Sequence, residues 1–272
     1  VEEYIMKAYT QQEFDALPVI KGVKKCPAGD YSSIRTFNER CDFDDGCIFG
    51  DESIFAFGCS FGKGCRFGVE CVFDKLCSFG DKCVFGKLCD FGDGCVFGSA
   101  IRFGERSRFG SESRFGSENR FDDQCIFGSD IIVGDKCTFN DWCVFGTGGF
   151  FNARCTFGSY NRFGDRCEFS VDNRFVYKCT FGARCLFKKW CGFGSGCVFG
   201  AQCCFGEGIR FGDFCVFEAQ CEFESEDRFG PRCSFGSECV FGDRCSFDAF
   251  FRFGDDCQFG SDCVFSEPIV LK

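Results

Sequence analysis

Phe61-Gly62-Lys63-Gly64-Cys65-Arg66 is one unit of a repeat that occupies most of the chain. A Phe recurs every six residues from Phe37 to Phe265, and of these 39 consecutive positions only Val133 lacks it. Four residues after each Phe comes a second fixed position, usually Cys, from Cys41 to Cys263. Of the 44 Phe, 38 stand in this register, and of the 28 Cys, 26 do; Cys26 and Cys204 do not. A regular period of this kind is the mark of a repeat architecture and sets aside the usual domain count for 272 residues.

Cys and the following Phe are two residues apart, so on an extended strand they point to one side and the residue between them to the other. The unit x-Cys-x-Phe is then a short strand with an apolar inner face. The Gly that follows suits a corner requiring an unusual backbone angle or close packing. Asp, Ser, Lys and Gly dominate the next two positions, as at Asp93-Gly94 and Asp243-Arg244, which is turn chemistry. A long array of such units without insertion or deletion predicts an all-β solenoid, a single-stranded parallel β-helix in which each coil stacks on the one before.

The pattern resembles the hexapeptide repeat of left-handed parallel β-helices over residues 37–265, with Phe in the aliphatic first position and Cys in the small fifth position. The resemblance implies left-handed triangular coils of 18 residues. The outward residues between Cys and Phe lean the same way. Ten are Arg, and an 18-residue coil gathers six of them on one side: Arg66, Arg102, Arg120, Arg174, Arg210 and Arg228. A second side carries Ile54, Val72, Ile126, Val144, Val198 and Val216. These two rows are the candidate binding residues, because exposed apolar rows often mark contact surfaces, although β-branched residues also favour strands for their own sake.

Residues 1–36 are expected to form an N-terminal cap and residues 266–272 a C-terminal cap or tail. Thr10-Gln11-Gln12-Glu13 fits a capping box for a helix that stops before Pro18, and Val19 to Lys25 reads as a strand. Ile269 and Leu271 keep the inward register and would complete a last half-strand or meet another copy.

Net charge is −10 and the isoelectric point near 4.7. Residues 1–36 carry five acids and five bases, so the excess lies on the repeat. That sign disfavours direct binding of nucleic acid through phosphates. Of 36 acids from residue 37 on, 31 occupy the three corner positions after Phe. The N-terminal Val1–Tyr9 stretch is charged and no apolar run is long enough to span a bilayer, so a cytoplasmic protein with reduced thiols is expected, with no membrane partner.

The family resemblance implies acyltransferase activity as one possibility, since many such proteins are acyltransferases, and that activity rests on a His base and on loops protruding from the coils. This chain has no His and its array has no insertion. The missing His also excludes Ser-His-Asp and Cys-His arrangements. Evenly spaced Cys does not make a zinc cluster, so neither metal nor cofactor is expected. Cys203-Cys204 is the one local pair, with Cys204 facing outward. The expectation is a non-catalytic solenoid that binds another macromolecule, a protein first of all. An acidic DNA mimic acting on a nucleic-acid enzyme is its sharper form. The alternative is a structural or adhesive module that forms homo-oligomers through a flat face or its C-terminal end. At nine of the twelve fifth positions that lack Cys the next residue is Arg, and buried Asn or Asp at such positions would need hydrogen-bond partners.

Overall fold

A computed structural model describes residues 6–267. The tail residues Ile269 and Leu271 lie outside the described residues. The chain forms two compact units, Val1–Ile132 and Val133–Lys272, and the division falls at the one hexad position without Phe. In each unit the strands are short, most of them two residues ending in the hexad Phe, and they build three parallel sheets in turn. Partners are 18 residues apart: Phe61 pairs with Phe79, Phe67 with Phe85 and Phe73 with Phe91. The coil is therefore triangular, with one hexad per side.

Backbone hydrogen bonds explain the hexad. Around Phe85 the Gly86 N–H donates to Phe67 O (3.0 Å) and the Val84 N–H to Cys65 O (2.9 Å), both in the coil before. Two residues past the Gly the donor reverses: the Leu88 N–H reaches Glu105 O (3.0 Å) in the coil after. That reversal needs a left-handed backbone, and Leu88 has φ of 59°. The repeat holds this conformation at corner after corner, mostly with non-glycine residues such as Glu70, Arg106 and Glu118. Each such residue costs roughly 1–2 kcal/mol, offset by the inter-coil bond it makes possible.

The recurring corner Gly therefore has a different task from the one an unusual angle would give it. Gly104 is not left-handed; a Cβ there would sit 2.6 Å from the carbonyl carbon of Gly86 and 2.7 Å from the nitrogen of Lys87. At Gly104 the coils approach too closely for a Cβ, whereas other corners hold Asp74, Asp122 or Lys188 at the same position.

Inside, the Phe rings form three stacks. Phe61 lies parallel to Phe79 at 4.9 Å, with an interplanar angle of 3°. It stands edge-on to Phe67 (86°) and to Phe73 (89°), and Phe67 and Phe73 are themselves at 84°. Three successive rings are thus mutually perpendicular, and every ring makes both offset-stacked and edge-to-face contacts, the two favoured geometries. The cysteines are free thiols, buried beside the rings.

The N-terminal cap continues this packing. Thr10 caps the helix Gln11–Asp15 with the reciprocal Thr10–Glu13 capping box. Phe14 sets its ring edge-on to Phe37 at 5.1 Å. Lys24, buried, directs its ammonium to the carbonyls of Phe14 and Asp15 and to the Glu39 carboxylate. The segment expected as one strand over Val19 to Lys25 is instead a hairpin: Val19–Ile20 pairs antiparallel with Val23–Cys26. Lys21 and Gly22 both have positive φ, the two-residue turn that matches strand twist. The aromatic register also begins one hexad before Phe37. Tyr31 is fully buried and stacks on Phe49 at 5.7 Å, and Tyr9 covers Tyr31 at 4.7 Å.

Candidate functional site

The fifth position of the hexad carries polar chemistry inward. The corner Gly carbonyl accepts no backbone N–H, and the fifth residue supplies a short donor to it. Cys83 Sγ donates to Gly62 O at 3.4 Å and Cys185 Sγ to Gly182 O at 3.4 Å. Ser107 Oγ donates to Gly104 O at 2.8 Å. The buried Asn finds its partners in the same way: Asn119 Nδ2 donates to Gly98 O and Gly116 O, and its Oδ1 accepts from the Ile101 N–H at 2.8 Å. Burial pushes the Cys191 and Cys245 thiols up to about 12. These two thiols are neutral at neutral pH, whereas hydrogen bonds within the thiol columns lower the pKa of Cys83, through Cys65, and of Cys185, through Cys167.

Asp227 occupies the same position and cannot play it when ionised. Its Oδ1 accepts from the Ile209 N–H at 2.7 Å, while its Oδ2 is buried without a partner. Oδ2 takes the place of the Asn amide nitrogen, and a proton on it restores the donor. Burial, followed by the nearby Glu224 charge, raises its pKa to about 9, against the Ile209 hydrogen bond, which lowers it.

The outward residues fall as follows. In the first unit Arg66, Arg102 and Arg120 share one sheet, with Val84 between the first two, and Arg102 and Arg120 are direct neighbours. In the second unit Arg174, Arg210 and Arg228 share one sheet, with Gly192 between Arg174 and Arg210. All six are exposed. The apolar rows are broken. Ile54 and Val72 adjoin, but Asp90 and Arg108 separate them from Ile126. Val144 is parted by Arg162 and Thr180 from Val198 and Val216. No continuous apolar face results.

The corner acids are occupied in part by the fold. Asp45, Asp81 and Asp243 each accept, through Oδ1, the N–H of the residue 18 further on, at 2.7, 2.8 and 2.7 Å. Others pair with bases on the next coil: Lys75 with Asp93, Lys87 with Glu105, Lys189 with Glu207. Cys204 faces outward, half-buried beside Leu186 and Glu222. Burial, and after it the Glu222 charge, raises its pKa, so this thiol is not activated.

The second unit also carries an exposed aromatic column. Its corner residues Trp142, Tyr160, Phe214 and Phe250 belong to one column, because they differ by multiples of 18. Trp142 stacks on Tyr160 at 4.3 Å, and Tyr160 meets Tyr177 edge-on at 5.9 Å. Lys178 lies over the Tyr177 ring at 5.0 Å, and Arg232 sits between Phe214 (5.2 Å) and Phe250 (5.6 Å). Trp142, Phe214 and Phe250 are 54, 51 and 61% exposed. In the first unit the same column reads Glu52, Glu70, Leu88, Arg106 and Gln124. The 18-residue spacing carries this signal in the sequence, once the triangular coil is accepted.

No known protein family, no curated protein and no solved structure matches this chain. Among the described residues no cluster of three or more His, Cys, Asp or Glu could hold a metal ion, and no helix is long and apolar enough to cross a membrane.

Proposed function

We propose that the chain is a non-catalytic solenoid of the hexapeptide β-helix type that binds a protein partner through the aromatic and cationic column of its second unit. The observation that carries this reading is the exposure of Trp142, Phe214 and Phe250 in one line with Lys178 and Arg232. Contact cores between proteins are enriched in aromatic residues and Arg, and such residues dominate binding energy. The chain has no His, and 25 of its 28 thiols are buried.

The narrower reading, a DNA mimic, draws less support. The corner carboxylates are interrupted by Lys63, Ser99 and Ser117 along one column, and several are already hydrogen-bonded. Oligomerisation through an apolar face draws less as well, since Asp90 and Arg108 break that face.

The test compares capture of partners from the source cell by the natural chain and by a Trp142→Ser, Phe214→Ser, Phe250→Ser variant. Loss of a captured protein with retained fold supports the column as the contact. Unchanged capture removes it. Competition by duplex DNA and strong salt sensitivity would instead favour the mimic.

A further inference from the structure

We infer that the second unit carries a small-molecule site for a phosphate monoester that bears an aromatic base, such as a nucleoside monophosphate, at the notch over Gly192. Gly192 stands where every neighbouring coil places an outward side chain. A Cβ there would meet nothing within 4 Å, so the glycine is not demanded by packing. The space it leaves is part of a concavity of about 550 Å³, within the range that small-ligand pockets occupy.

Its walls are charged and aromatic. Arg174 and Arg210 flank Gly192 in register on either side. Two strand spacings, about 9.6 Å, separate them. At that span two guanidinium groups can place charge-assisted bonds of about 2.8 Å on opposite sides of one tetrahedral anion. Arg228 adds a further positive charge directly beside Arg210. Like charges placed opposite one another on neighbouring strands are unfavourable unless an anion joins them. Nearby acids do not relieve this. Asp172 is shared between Arg154 at 3.8 Å and Arg174 at 4.0 Å, and Glu226 is engaged by Arg244 at 2.7 Å. Among the described residues neither Arg210 nor Arg228 makes an ion pair.

The aromatic element is Trp190, 63% exposed, the most exposed Trp or Phe among the described residues. It lines the same concavity, and its indole lies across Gly208, whose missing side chain makes room for it. The exposed ring borders the Arg174–Arg210 pair, so a planar base can stack on it while its phosphate sits between the guanidiniums. Phosphate alone would use half of the site, and an uncharged aromatic the other half.

Calorimetric titration of the full chain with adenosine monophosphate, and separately with inorganic phosphate, tests this. Saturable binding of the nucleotide is expected, with phosphate weaker by about tenfold or more. Gly192→Val should abolish binding with thermal stability intact, because the added side chain enters open space. Arg210→Gln should weaken both ligands about tenfold or more, and Trp190→Ala should weaken the nucleotide but not phosphate. No saturable heat with the nucleotide up to about 10 mM overturns the site; so does binding that survives Gly192→Val or Arg210→Gln. Equal affinity for nucleotide and phosphate, or indifference to Trp190→Ala, overturns its aromatic half and with it the assigned ligand.

Discussion

At the scale of single residues, the hexad separates three demands that look alike in the sequence. Position two is mostly Gly, where the coils approach closely, position four takes a left-handed backbone, and position five, where it is Cys, Ser or Asn, supplies a donor to a corner carbonyl. Gly104→Ala tests the first. Its Cβ would fall 2.6 Å from Gly86 backbone, so a loss of stability well above the roughly 1 kcal/mol typical of substitutions is expected by denaturant titration. Position five makes a sharper prediction through Asp227. The folded state keeps its proton up to pH about 9, while the unfolded chain releases it near 3.8. Between those values the folded state holds one more proton, so stability falls as pH rises through that window and levels off above it. Asp227→Asn supplies the donor without a proton. It should stabilise the chain by about 2–4 kcal/mol at pH 7 and remove this slope, as read from unfolding at pH 5 and pH 8. A variant with an unchanged slope would show that Asp227 is ionised in the fold.

At the scale of the element, a two-residue strand has little stability of its own. Each coil side is held by bonds to the coils before and after and by its ring in the stack. Phe61 lies parallel to Phe43 and Phe79 at 5.1 and 4.9 Å and edge-on to four further rings, Phe49, Phe55, Phe67 and Phe73. Phe61→Ala should cost about 3–5 kcal/mol, and Phe61→Leu less, because Leu refills part of the volume. Stability in a stacked array is a sum of local and nearest-neighbour contributions. Hydrogen exchange should therefore accelerate most in the coils next to the substitution and little at the helix Gln11–Asp15. Uniform acceleration along the unit would contradict nearest-neighbour coupling. The helix, the Lys21-Gly22 hairpin and Tyr31 form a cap because open coil ends expose unpaired backbone. Its helix was legible from Thr10 and Glu13. The hairpin was missed because Val19 to Lys25 reads as a single β-rich run unless Lys21-Gly22 is recognised as a turn.

For the molecule as a whole, the thiols offer a direct count. Of the 28 cysteines, 25 are buried and only Cys204, Cys257 and Cys263 are half-exposed. An alkylating reagent should modify no more than these three in the native chain and all of them in denaturant, as read by mass. Rapid native labelling of many thiols would mean that the coils open readily. The same measurement bears on function, since buried thiols leave the outer surface to do the recognising.

The sequence alone determined the period, the inward Phe and Cys and the solenoid they require, because a six-residue spacing with two fixed inner positions has few ways to bury both. It also placed Arg174, Arg210 and Arg228 on one side, since position modulo 18 assigns a face. What only the tertiary structure decided is how side chains 18 or 36 residues apart lie against one another along a column. The aromatic column from Trp142 to Phe250, the interruptions of the valine row, and the notch between Arg174 and Arg210 join residues 18 or 36 apart in sequence. Such contacts come from stacking of coils, and their effect depends on side-chain direction and exposure. The proton on Asp227 belongs to the same class: only the packed position of a carbonyl and an N–H around it determines which form the carboxyl takes.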